Sequence, residues 1–340
     1  MKNVRAISRS ALILCALFLG LALILPARAD EKLTFATDWK AQAEHGGFYQ
    51  AVAKGYYAKR GLEVKIRQGG PAVNIPQLLA AGAIDLGMGS SSFIALNMVR
   101  EGAKVRAVMA AFQKDPQVLM VHPDPNVKSL ADLKGRPILV SDATIGTFWK
   151  WLEFKFGYTP AQIRKYTYSL APFLNDPRAV QQGYVTSEPY LIETQGGFKP
   201  QVYLLANEGY PAYACLVMAP QSLIDSKPAV VQAFVDASIE GWADYLWGDA
   251  SAGDRLILAD NPQSTPELLA QARARLKAEG IVGSGDAETF GIGAMTDARW
   301  KSFRDAMVAT NVYADDIKLD AAYTLAFVNK RVGEELRKRP

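Results

Sequence analysis

The side chains best suited to binding a small molecule are an indole, an imidazole, several hydroxyls and two carboxylates in four short segments. Each segment follows a predicted strand, and together they contain Asp38, Trp39 and His45; Ser90, Ser91 and Ser92; Ser141, Thr144 and Thr147; and Glu188 and Tyr190. In an open α/β sheet, ligands bind beyond the carboxyl ends of the strands. These segments are therefore predicted to line one cleft.

Each of these side chains has a ligand-binding and a structural interpretation. Trp39 offers a flat face for stacking a ring, or it belongs to the core. His45 precedes a predicted helix, where it binds a ligand or caps the helix. The serines of 90–92 cap a helix or bond a ligand with the same geometry. Glu188 accepts N–H groups from a ligand or is an exposed loop carboxylate. The neighbours of Trp39 favour the binding role for that side chain, and both interpretations stay open for the rest.

Motifs of common catalytic sites are missing from the sequence. No dinucleotide-binding glycine motif follows the first strand, and there is no phosphate-binding loop, nucleophile elbow or zinc-protease motif. The chain has two histidines, His45 and His122, and two cysteines, Cys15 and Cys215. With so few ligands of these types a zinc site is not expected, and a Ser/His/Asp site would need one of the two histidines. We expect no catalysis, no metal and no cofactor.

The composition is typical of a globular protein. Of 340 residues, 49% are hydrophobic and 21% charged, and the mean hydropathy is −0.01; these values exclude disordered, fibrous and polytopic membrane proteins. This length usually requires about two domains. The formal charge is +4, but residues 1–29 contain four basic residues and no acidic ones. The remainder is neutral, so nucleic acid and anionic membranes are not expected partners.

Residues 1–29 have the features of a secretory signal peptide. Basic residues precede the apolar run Ala11–Leu25, and small residues on both sides of Arg28 mark a cleavage site before Asp30. A membrane anchor would need about 20 apolar residues, and this run stops at Pro26. Cleavage predicts a periplasmic protein without stable membrane insertion. One cysteine then remains, too few for an internal disulfide.

The rest of the chain alternates strands with helices, as parallel βαβ units in doubly wound sheets do. The first cycle is predicted to contain strands at Leu33–Thr37, Leu62–Ile66, Ile84–Met88 and Val105–Ala111, and helices at Gly46–Arg60, Ile75–Ala81 and Phe93–Glu101. The second is predicted to contain strands at Pro137–Val140, Tyr166–Ser169, Val185–Thr186 and Val202–Leu205, and helices at Ser129–Lys134, Thr147–Phe156, Pro177–Gln182 and Tyr190–Gly196.

Two α/β lobes are therefore predicted, with two connections between them. A strand-like run at Cys215–Ala219 and a helical pattern from Lys227 onward indicate that the chain returns to the first lobe. The first lobe is expected to comprise residues 30–115 and 214–340, and the second residues 116–213. Crossings near 113–118 and 208–215 would form a hinge beside a ligand cleft.

A known family resembles this sequence most clearly over Leu33–Val64. The similarity rests on Asp38-Trp39, on His45 six residues after the tryptophan, on the run Phe48–Tyr57 and on Gly61-Leu62. It resembles the solute-binding proteins of ABC importers, in the superfamily of sulfonate, taurine and nitrate binders. The branch it looks most like binds thiamine pyrimidine precursors and also includes the fungal thiamine pyrimidine synthases.

This resemblance implies a type II periplasmic-binding fold with two lobes and a ligand cleft. It also implies that Trp39, His45, the 90–92 turn, the 141–147 turn and Glu188 line that cleft. The implied partners are a small-molecule ligand, a membrane permease and its ATPase, and the implied state is a monomer. The pyrimidine branch usually has a proline between the tryptophan and the histidine, which this chain lacks.

An enzyme of the pyrimidine-synthase kind is the competing hypothesis. Those relatives carry a lysine for pyridoxal phosphate and a nearby histidine after the third strand, where this chain has Gly89 and Phe93. They also carry a cysteine-rich iron motif. After the predicted cleavage this chain has a single cysteine, Cys215, to match that motif. Export away from cytosolic cofactors adds to the preference for a binding protein.

The charges in the predicted cleft indicate the ligand class. The loops contribute Asp38, Glu44, Asp142 and Glu188, opposed by Lys40 and His45, with no arginine to grip an anion. We therefore expect a neutral or weakly cationic nitrogen heterocycle of the thiamine-precursor type. A sulfonate, taurine or nitrate anion stays possible, because helix N-termini after Ser90 and Thr144 can hold an anion through backbone N–H groups.

Overall fold

The computed structural model describes residues 30–338, which form two five-stranded sheets. The first sheet consists of β1 (Glu31–Ala36), β2 (Leu62–Arg67), β3 (Leu86–Ser91), β4 (Val105–Phe112) and β10 (Ala214–Pro220), in the order β2-β1-β3-β10-β4. The second consists of β5 (Gln117–Val121), β6 (Ile138–Val140), β7 (Ile163–Lys165), β8 (Val180–Tyr184) and β9 (Gln201–Leu204), in the order β7-β6-β8-β5-β9. The predicted signal peptide lies outside the described residues.

Helices connect the strands and cover the sheets. The α-helices are α1 (Gly46–Ala53), α2 (Ile75–Ala80), α3 (Ser92–Arg100), α4 (Asp142–Ile145), α5 (Phe148–Phe156), α6 (Ala171–Leu174), α7 (Glu188–Gly196), α8 (Gln221–Ser226), α9 (Pro228–Trp247), α10 (Ser251–Asp260), α11 (Pro266–Ala278), α12 (Asp286–Phe290), α13 (Asp297–Ala309) and α14 (Glu334–Arg337). Short 3₁₀ helices lie at Ala43–His45, Ala58–Arg60, Leu130–Leu133, Pro160–Gln162, Leu205–Glu208 and Leu319–Ala321.

Both sheets are mainly parallel, with one antiparallel strand inserted by the connection from the other lobe. In the first sheet β1 pairs in parallel with β2 and β3, and β10 lies antiparallel between β3 and β4. In the second sheet β6 pairs in parallel with β7 and β8, and β5 lies antiparallel between β8 and β9. The parallel strands of each sheet therefore end at one edge, which places the loops that follow them side by side.

Two segments connect the sheets, one between β4 and β5 and the other between β9 and β10. Arg299 of α13 bonds both of them. Its Nε donates to the Pro211 carbonyl oxygen at 2.7 Å, and its Nη2 donates to the Gln113 carbonyl oxygen at 2.9 Å. The Lys114 ammonium also bonds Asn207 at 3.0 Å, from one segment to the other. The two connections are thus held next to each other.

The long helix α9 sets the position of α1 and of the 3₁₀ turn before it. A Cβ on Gly46 would lie 2.0 Å from the Tyr245 ring, and one on Gly47 would lie 2.2 Å from the Trp242 ring. Only glycine allows this approach, because any side chain would push the two helices apart. Buried aromatic packing therefore fixes Glu44 and His45, which immediately precede α1.

Most of the predicted elements of the first lobe are confirmed to within a few residues, but several in the second lobe are wrong. The predicted helix Pro177–Gln182 is instead the start of β8, whose glutamines are buried. The strand predicted at Tyr166–Ser169 lies earlier, as β7, and β5 has no predicted counterpart. The first helix also ends at Ala53 rather than Arg60. The polar residues Gln181 and Gln182 give β8 no apolar pattern that would predict a strand. Their burial depends on neighbours that are distant in sequence.

No helix within residues 30–338 is long and apolar enough to cross a lipid bilayer. In the same part of the chain, no group of three or more His, Cys, Asp and Glu side chains is arranged to hold a metal ion.

Candidate functional site

The backbone around Trp39 is fixed by the close approach of two loops. The Trp39 carbonyl oxygen accepts hydrogen bonds from the Thr37 hydroxyl at 2.8 Å and from the Gly69 N–H at 3.0 Å. Thr37 follows β1 and Gly69 follows β2, so the parallel pairing of these strands brings them together. A Cβ on Gly69 would lie 2.3 Å from the Thr37 carbonyl oxygen. Glycine alone fits there without moving the Trp39 backbone.

Replacing Gly69 by alanine should lower the melting temperature and weaken binding by displacing the Trp39 turn. The added Cβ meets backbone atoms of Thr37 and Asp38, which cannot rotate away as a flexible side chain can. Overpacking of this kind costs about 1 to 3 kcal/mol. Gly146→Ala is the matched control, because its Cβ would meet no atom within 4 Å. Equal melting temperatures for the two variants would contradict this account.

The Trp39 ring lies between the lobes and not in the core. It is partly exposed, and its centroid is 5.0 Å from that of Tyr168, with an angle of 45° between the rings. Tyr168 follows β7 in the other lobe and is exposed. An indole face at this boundary is accessible to a flat ligand whenever the lobes separate.

Asp38, Glu44 and His45 form a cluster beyond the carboxyl end of β1. The His45 Nε2 lies 3.4 Å from the Asp38 Oδ1, and the imidazole is 1% exposed. The His45 Nδ1 is also buried, and it has no hydrogen-bond partner within residues 30–338. A buried polar atom left unsatisfied costs about 1 to 3 kcal/mol. This nitrogen is therefore free to bond a ligand.

Glu44 joins the two lobes. Its Oε1 accepts a hydrogen bond from the hydroxyl of Thr186, which follows β8 in the second lobe. Burial raises the pKa of Glu44, the Thr186 hydroxyl and the neighbouring His45 lower it again in part, and Asp38 raises it. A carboxyl in these surroundings takes up a proton more readily than one in water, and it then presents an O–H donor beside an acceptor oxygen.

Tyr184 presents a free hydroxyl to the same cluster. In the described part of the chain this hydroxyl has no hydrogen-bond partner. Desolvation, followed by the carboxylates of Asp115, Asp38 and Glu44, raises the pKa of Tyr184 well above its usual range. The phenol therefore stays protonated and can donate a hydrogen bond or accept one.

Glu188 lies at the start of α7 and is held by its own lobe. Its two oxygens accept hydrogen bonds from the Tyr184 N–H at 2.8 Å and from the Tyr166 hydroxyl at 3.2 Å. Desolvation raises the pKa of Glu188, and Glu44 raises it further. The carboxyl is close to the cluster, but the two internal bonds reduce its capacity to accept N–H groups from a ligand.

Asp115 adds a further carboxyl on the first connection between the lobes. It is 3% exposed, and its Oδ1 accepts a hydrogen bond from the Gln117 N–H at 3.0 Å. Burial raises the pKa of Asp115 to about 7. Sequence reasoning misses this residue, because nothing in the local sequence marks its burial.

Two charges expected in the cleft have polar partners of their own. The Lys40 ammonium bonds the Gln263 side-chain oxygen at 2.8 Å, and the exposed Asp142 pairs with Lys165 at 2.9 Å. The charged groups with the largest influence on the pKa values of the cleft side chains are other carboxylates and His45. The buried Asp115 adds a carboxyl to those expected from the sequence.

The predicted hydroxyls differ in their availability. Ser92 is engaged, because its Oγ accepts from the Tyr213 N–H at 3.0 Å. Ser90 and Ser91, at the end of β3, have hydroxyls without a partner within residues 30–338. These two serines are the hydroxyls of the 90–92 turn that remain free to bond a ligand.

The hydroxyls of the 141–147 turn bond their own lobe. The Thr144 hydroxyl oxygen lies 2.8 Å from the Ser141 carbonyl oxygen and 2.9 Å from the Gln182 side-chain oxygen, and its single O–H donates to one of them. The Thr147 hydroxyl donates to the Thr144 carbonyl oxygen. The Ser141 hydroxyl lies 3.3 Å from that of Thr144. These contacts shape the turn around α4.

Tyr190 faces a small cavity between α7 and α11. It lines a cavity of about 180 Å³ with Glu193, Lys199, Gln271 and Arg275, among others, and this cavity contains none of the cluster side chains. No hydrogen bond joins the Tyr190 side chain to Asp38, Glu44 or His45 within residues 30–338, so its place in the cleft stays a prediction.

A protein-family model described as NMT1/THI5 like matches residues 42–247, more than half of the chain. The chain belongs to this family. The match includes Glu44, His45, Tyr184 and Thr186, and it spans both connections between the lobes.

Two curated relatives are similar in sequence. A Haemophilus influenzae protein named as a putative thiamine biosynthesis protein is 32% identical over 120 residues, which cover 35% of this chain and 38% of that protein. The match therefore spans less than half the length of that relative. The riboflavin-binding protein RibY of Chloroflexus aurantiacus is 23% identical over 304 residues, which cover 88% of this chain and 86% of that protein.

A solved structure shares the fold. The periplasmic aliphatic sulphonate binding protein SsuA of Escherichia coli superposes with a TM-score of 0.64 at 14% identity, covering 91% of this chain and 92% of that one. The two-lobed periplasmic-binding fold expected from the sequence is thereby confirmed.

Proposed function

We propose that this protein is the exported solute-binding component of an ABC importer and that it captures a nitrogen heterocycle between its lobes for delivery to a membrane permease. The observation that carries the proposal is the acidic cluster of Asp38, Glu44 and His45, which holds an unpartnered buried imidazole nitrogen and is covered by Thr186 of the other lobe. Family membership and the periplasmic-binding fold support a transport role.

The chemistry of the cluster fits an aminopyrimidine-like ligand. A protonated carboxyl offers one donor and one acceptor side by side, which matches a ring nitrogen next to an exocyclic amino group. Glu44 has the burial that favours this protonated form, and the carboxyl of Asp38 offers further acceptor oxygens for N–H donors. The imidazole of His45 and the phenol of Tyr184 supply further polar atoms for a ring with several nitrogens.

A non-catalytic role is supported by two residues of this chain. Gly89 and Phe93 stand where the pyrimidine synthases have the lysine for pyridoxal phosphate and the nearby histidine. Gly89 packs against Met218, and Phe93 contacts Phe303 at a centroid distance of 4.9 Å in the aromatic core. Neither offers a group for a cofactor. Burial raises the pKa of the Cys215 thiol well above its usual range, and the carboxylates of Asp38 and Glu44 raise it further, so this cysteine is a poor nucleophile.

An anionic ligand of the sulfonate type is the competing candidate, since SsuA shares the fold. An anion would have to approach the carboxyl groups of Asp38, Glu44 and Glu188, none of which forms a hydrogen bond or ion pair with a lysine or arginine among residues 30–338. The backbone N–H groups at the starts of α3 and of the helix after Thr144 are the remaining source of attraction. We therefore favour the heterocycle.

Thermal-shift measurements on the mature chain, residues 30–340, test the ligand class. A compound that binds the folded state at 100 times its dissociation constant stabilises it by about 2.7 kcal/mol. An aminopyrimidine or riboflavin should raise the melting temperature, and taurine and nitrate should leave it unchanged. Stabilisation by the anions alone would overturn the heterocycle proposal.

The proposed location follows from the N-terminal segment and is tested separately. Mature protein that begins at Asp30 should be recovered from the periplasmic fraction, because the leader has a basic start, a short apolar run and small residues at the cleavage site. Recovery of the uncleaved chain from the membrane fraction would contradict export and cleavage.

Ligand binding should require the lobes to open and then close. His45 and Glu44 are 1% and 3% exposed, so a ligand reaches them only when the contacts from Trp39 to Tyr168 and from Glu44 to Thr186 separate. Small-angle scattering on ligand-free protein and on protein saturated with the tightest-binding compound should differ, with the saturated form more compact. Identical profiles would indicate a rigid cleft.

A further inference from the structure

Tyr168 is an exposed aromatic residue at the cleft for which neither the fold nor the proposed function accounts. Its side chain is 52% exposed. The ring centroid lies 5.0 Å from that of Trp39 in the other lobe and 5.3 Å from that of Tyr166 in its own lobe. A large aromatic side chain at the boundary between two lobes suits a role in contacting a ligand.

The backbone of Tyr168 is in the left-handed region, with φ at 63°. Residues with a side chain rarely adopt this conformation, and for a bulky residue it is an outlier. Such positions persist where the surroundings enforce them, and they cluster at ligand clamps and active sites. Because a glycine would adopt this turn without strain, the presence of tyrosine calls for a reason besides folding.

We propose that Tyr168 is the second aromatic wall of the cleft and that the ligand ring is held between Tyr168 and Trp39. This inference rests on the proposed function, since it assumes a flat heterocycle. It adds a residue on the opposite lobe, so that stacking on both faces occurs only when the lobes close.

The distance between the Trp39 and Tyr168 rings agrees with a direct contact that a bound ligand ring would replace. Optimal packing between carbon atoms is about 3.5 to 4.0 Å, so a ring with aromatic neighbours on both faces separates them by roughly 7 to 8 Å. The rings of Trp39 and Tyr168 are closer than that and inclined at 45°. They therefore contact each other across the closed boundary and must part by a few ångströms to admit a ring.

The support behind Tyr168 is firm enough to orient it. Tyr166 is buried, and its hydroxyl bonds Glu188 at 3.2 Å. Tyr168 packs against this anchored ring, while its outer face contacts Trp39. A two-sided aromatic clamp selects for flat π systems and gives no advantage to taurine or nitrate, which lack a ring.

Dissociation constants for 4-amino-5-hydroxymethyl-2-methylpyrimidine and for riboflavin test the clamp. Stacking of a base on an aromatic side chain is worth about 5- to 150-fold in affinity. For the compound that the wild type binds, Tyr168→Ala should weaken the affinity by a factor within that range. The affinity of Tyr168→Phe should stay within about twofold of wild type, since the ring is kept. Phe154→Ala, which removes another exposed aromatic side chain of the second lobe, should leave affinity unchanged.

Tyr168→Gly supplies a readout that needs no ligand. Glycine relieves the left-handed conformation, so this variant should melt no lower than the wild type while binding as weakly as Tyr168→Ala. A marked fall in melting temperature would show that the tyrosine serves folding, and it would overturn the proposal.

The outcomes separate this inference from the proposed function. If the wild type binds neither heterocycle, both fail. If it binds one of them and Tyr168→Ala binds equally well or more tightly, then Tyr168 does not hold the ligand ring, and the second-wall proposal alone fails. Weaker binding by Tyr168→Ala with retention in Tyr168→Phe supports it.

Discussion

Replacing Asp115 by asparagine should raise the free energy of unfolding at pH 8 by about 2 to 4 kcal/mol. The carboxyl has a pKa of about 7 in the folded protein, against about 3.9 in an unfolded chain. Above pH 7 the folded state therefore buries a negative charge whose desolvation is offset only in part by the hydrogen bond from the Gln117 N–H. The asparagine oxygen can still accept the Gln117 N–H, and part of the gain is offset because its amide protons lack partners.

The pH dependence of this effect follows from the raised pKa. Between about pH 4 and pH 7 the folded state binds more protons at Asp115 than the unfolded state does. The contribution of Asp115 to the free energy of unfolding is therefore complete below about pH 4 and is lost as the pH rises towards about 7. Urea unfolding of the wild type and Asp115→Asn at pH 8 and pH 4.5 should show a large stabilisation at the higher pH and a small one at the lower.

Asp124→Asn is the control with the opposite sign. Hydrogen bonding from Arg136, 2.5 Å away, lowers the pKa of Asp124, so its replacement should not stabilise the protein at either pH. An Asp115→Asn effect that is equal at both pH values would contradict the assignment of a buried, titrating carboxyl to this connection.

Trp39→Ala should weaken ligand binding by about 1 to 3 kcal/mol while leaving the fold largely intact, taking base stacking on an aromatic ring as the scale. The indole is partly exposed, and it contacts the ring of the exposed Tyr168 across the lobes. Its removal therefore takes little from the core. Titration calorimetry gives the affinity, and the melting temperature reports the fold.

Two comparisons make the Trp39 result interpretable. Trp39→Phe keeps a smaller flat ring and should retain an intermediate affinity, and Phe154→Ala should leave binding unchanged, since Phe154 is exposed on α5 outside the cleft. A Trp39→Ala protein that unfolds, or that binds as the wild type does, would show that the indole has a structural role.

The sequence predicts the strands and helices of the first lobe well, because these depend on local patterns, and its ligand-binding residues stay predictions. The segment from Asp38 to His45 joins an alternating apolar strand to a helix that begins with two glycines. The strand, the loop and the helix N-terminus are each indicated by their residue types. The position of the loop beyond the carboxyl end of β1 follows from the topology of the sheet.

Nonlocal contacts explain what the sequence does not predict. Tyr184 and Thr186 lie at the end of β8, a strand hidden by its buried glutamines. Asp115 acquires its raised pKa from burial between lobes distant in sequence. Lys40 bonds Gln263, more than two hundred residues away, and no local pattern predicts that partner. Tyr168 has no signal in the sequence, because its left-handed backbone depends on the surrounding turn.

Titration calorimetry of the mature wild-type protein with an aminopyrimidine, riboflavin, taurine and nitrate tests the central claim most directly. The acidic cluster, the free imidazole nitrogen and the aromatic boundary predict micromolar or tighter binding of at least one of the two heterocycles and no measurable binding of either anion. Micromolar or tighter binding of taurine or nitrate alone would contradict the account.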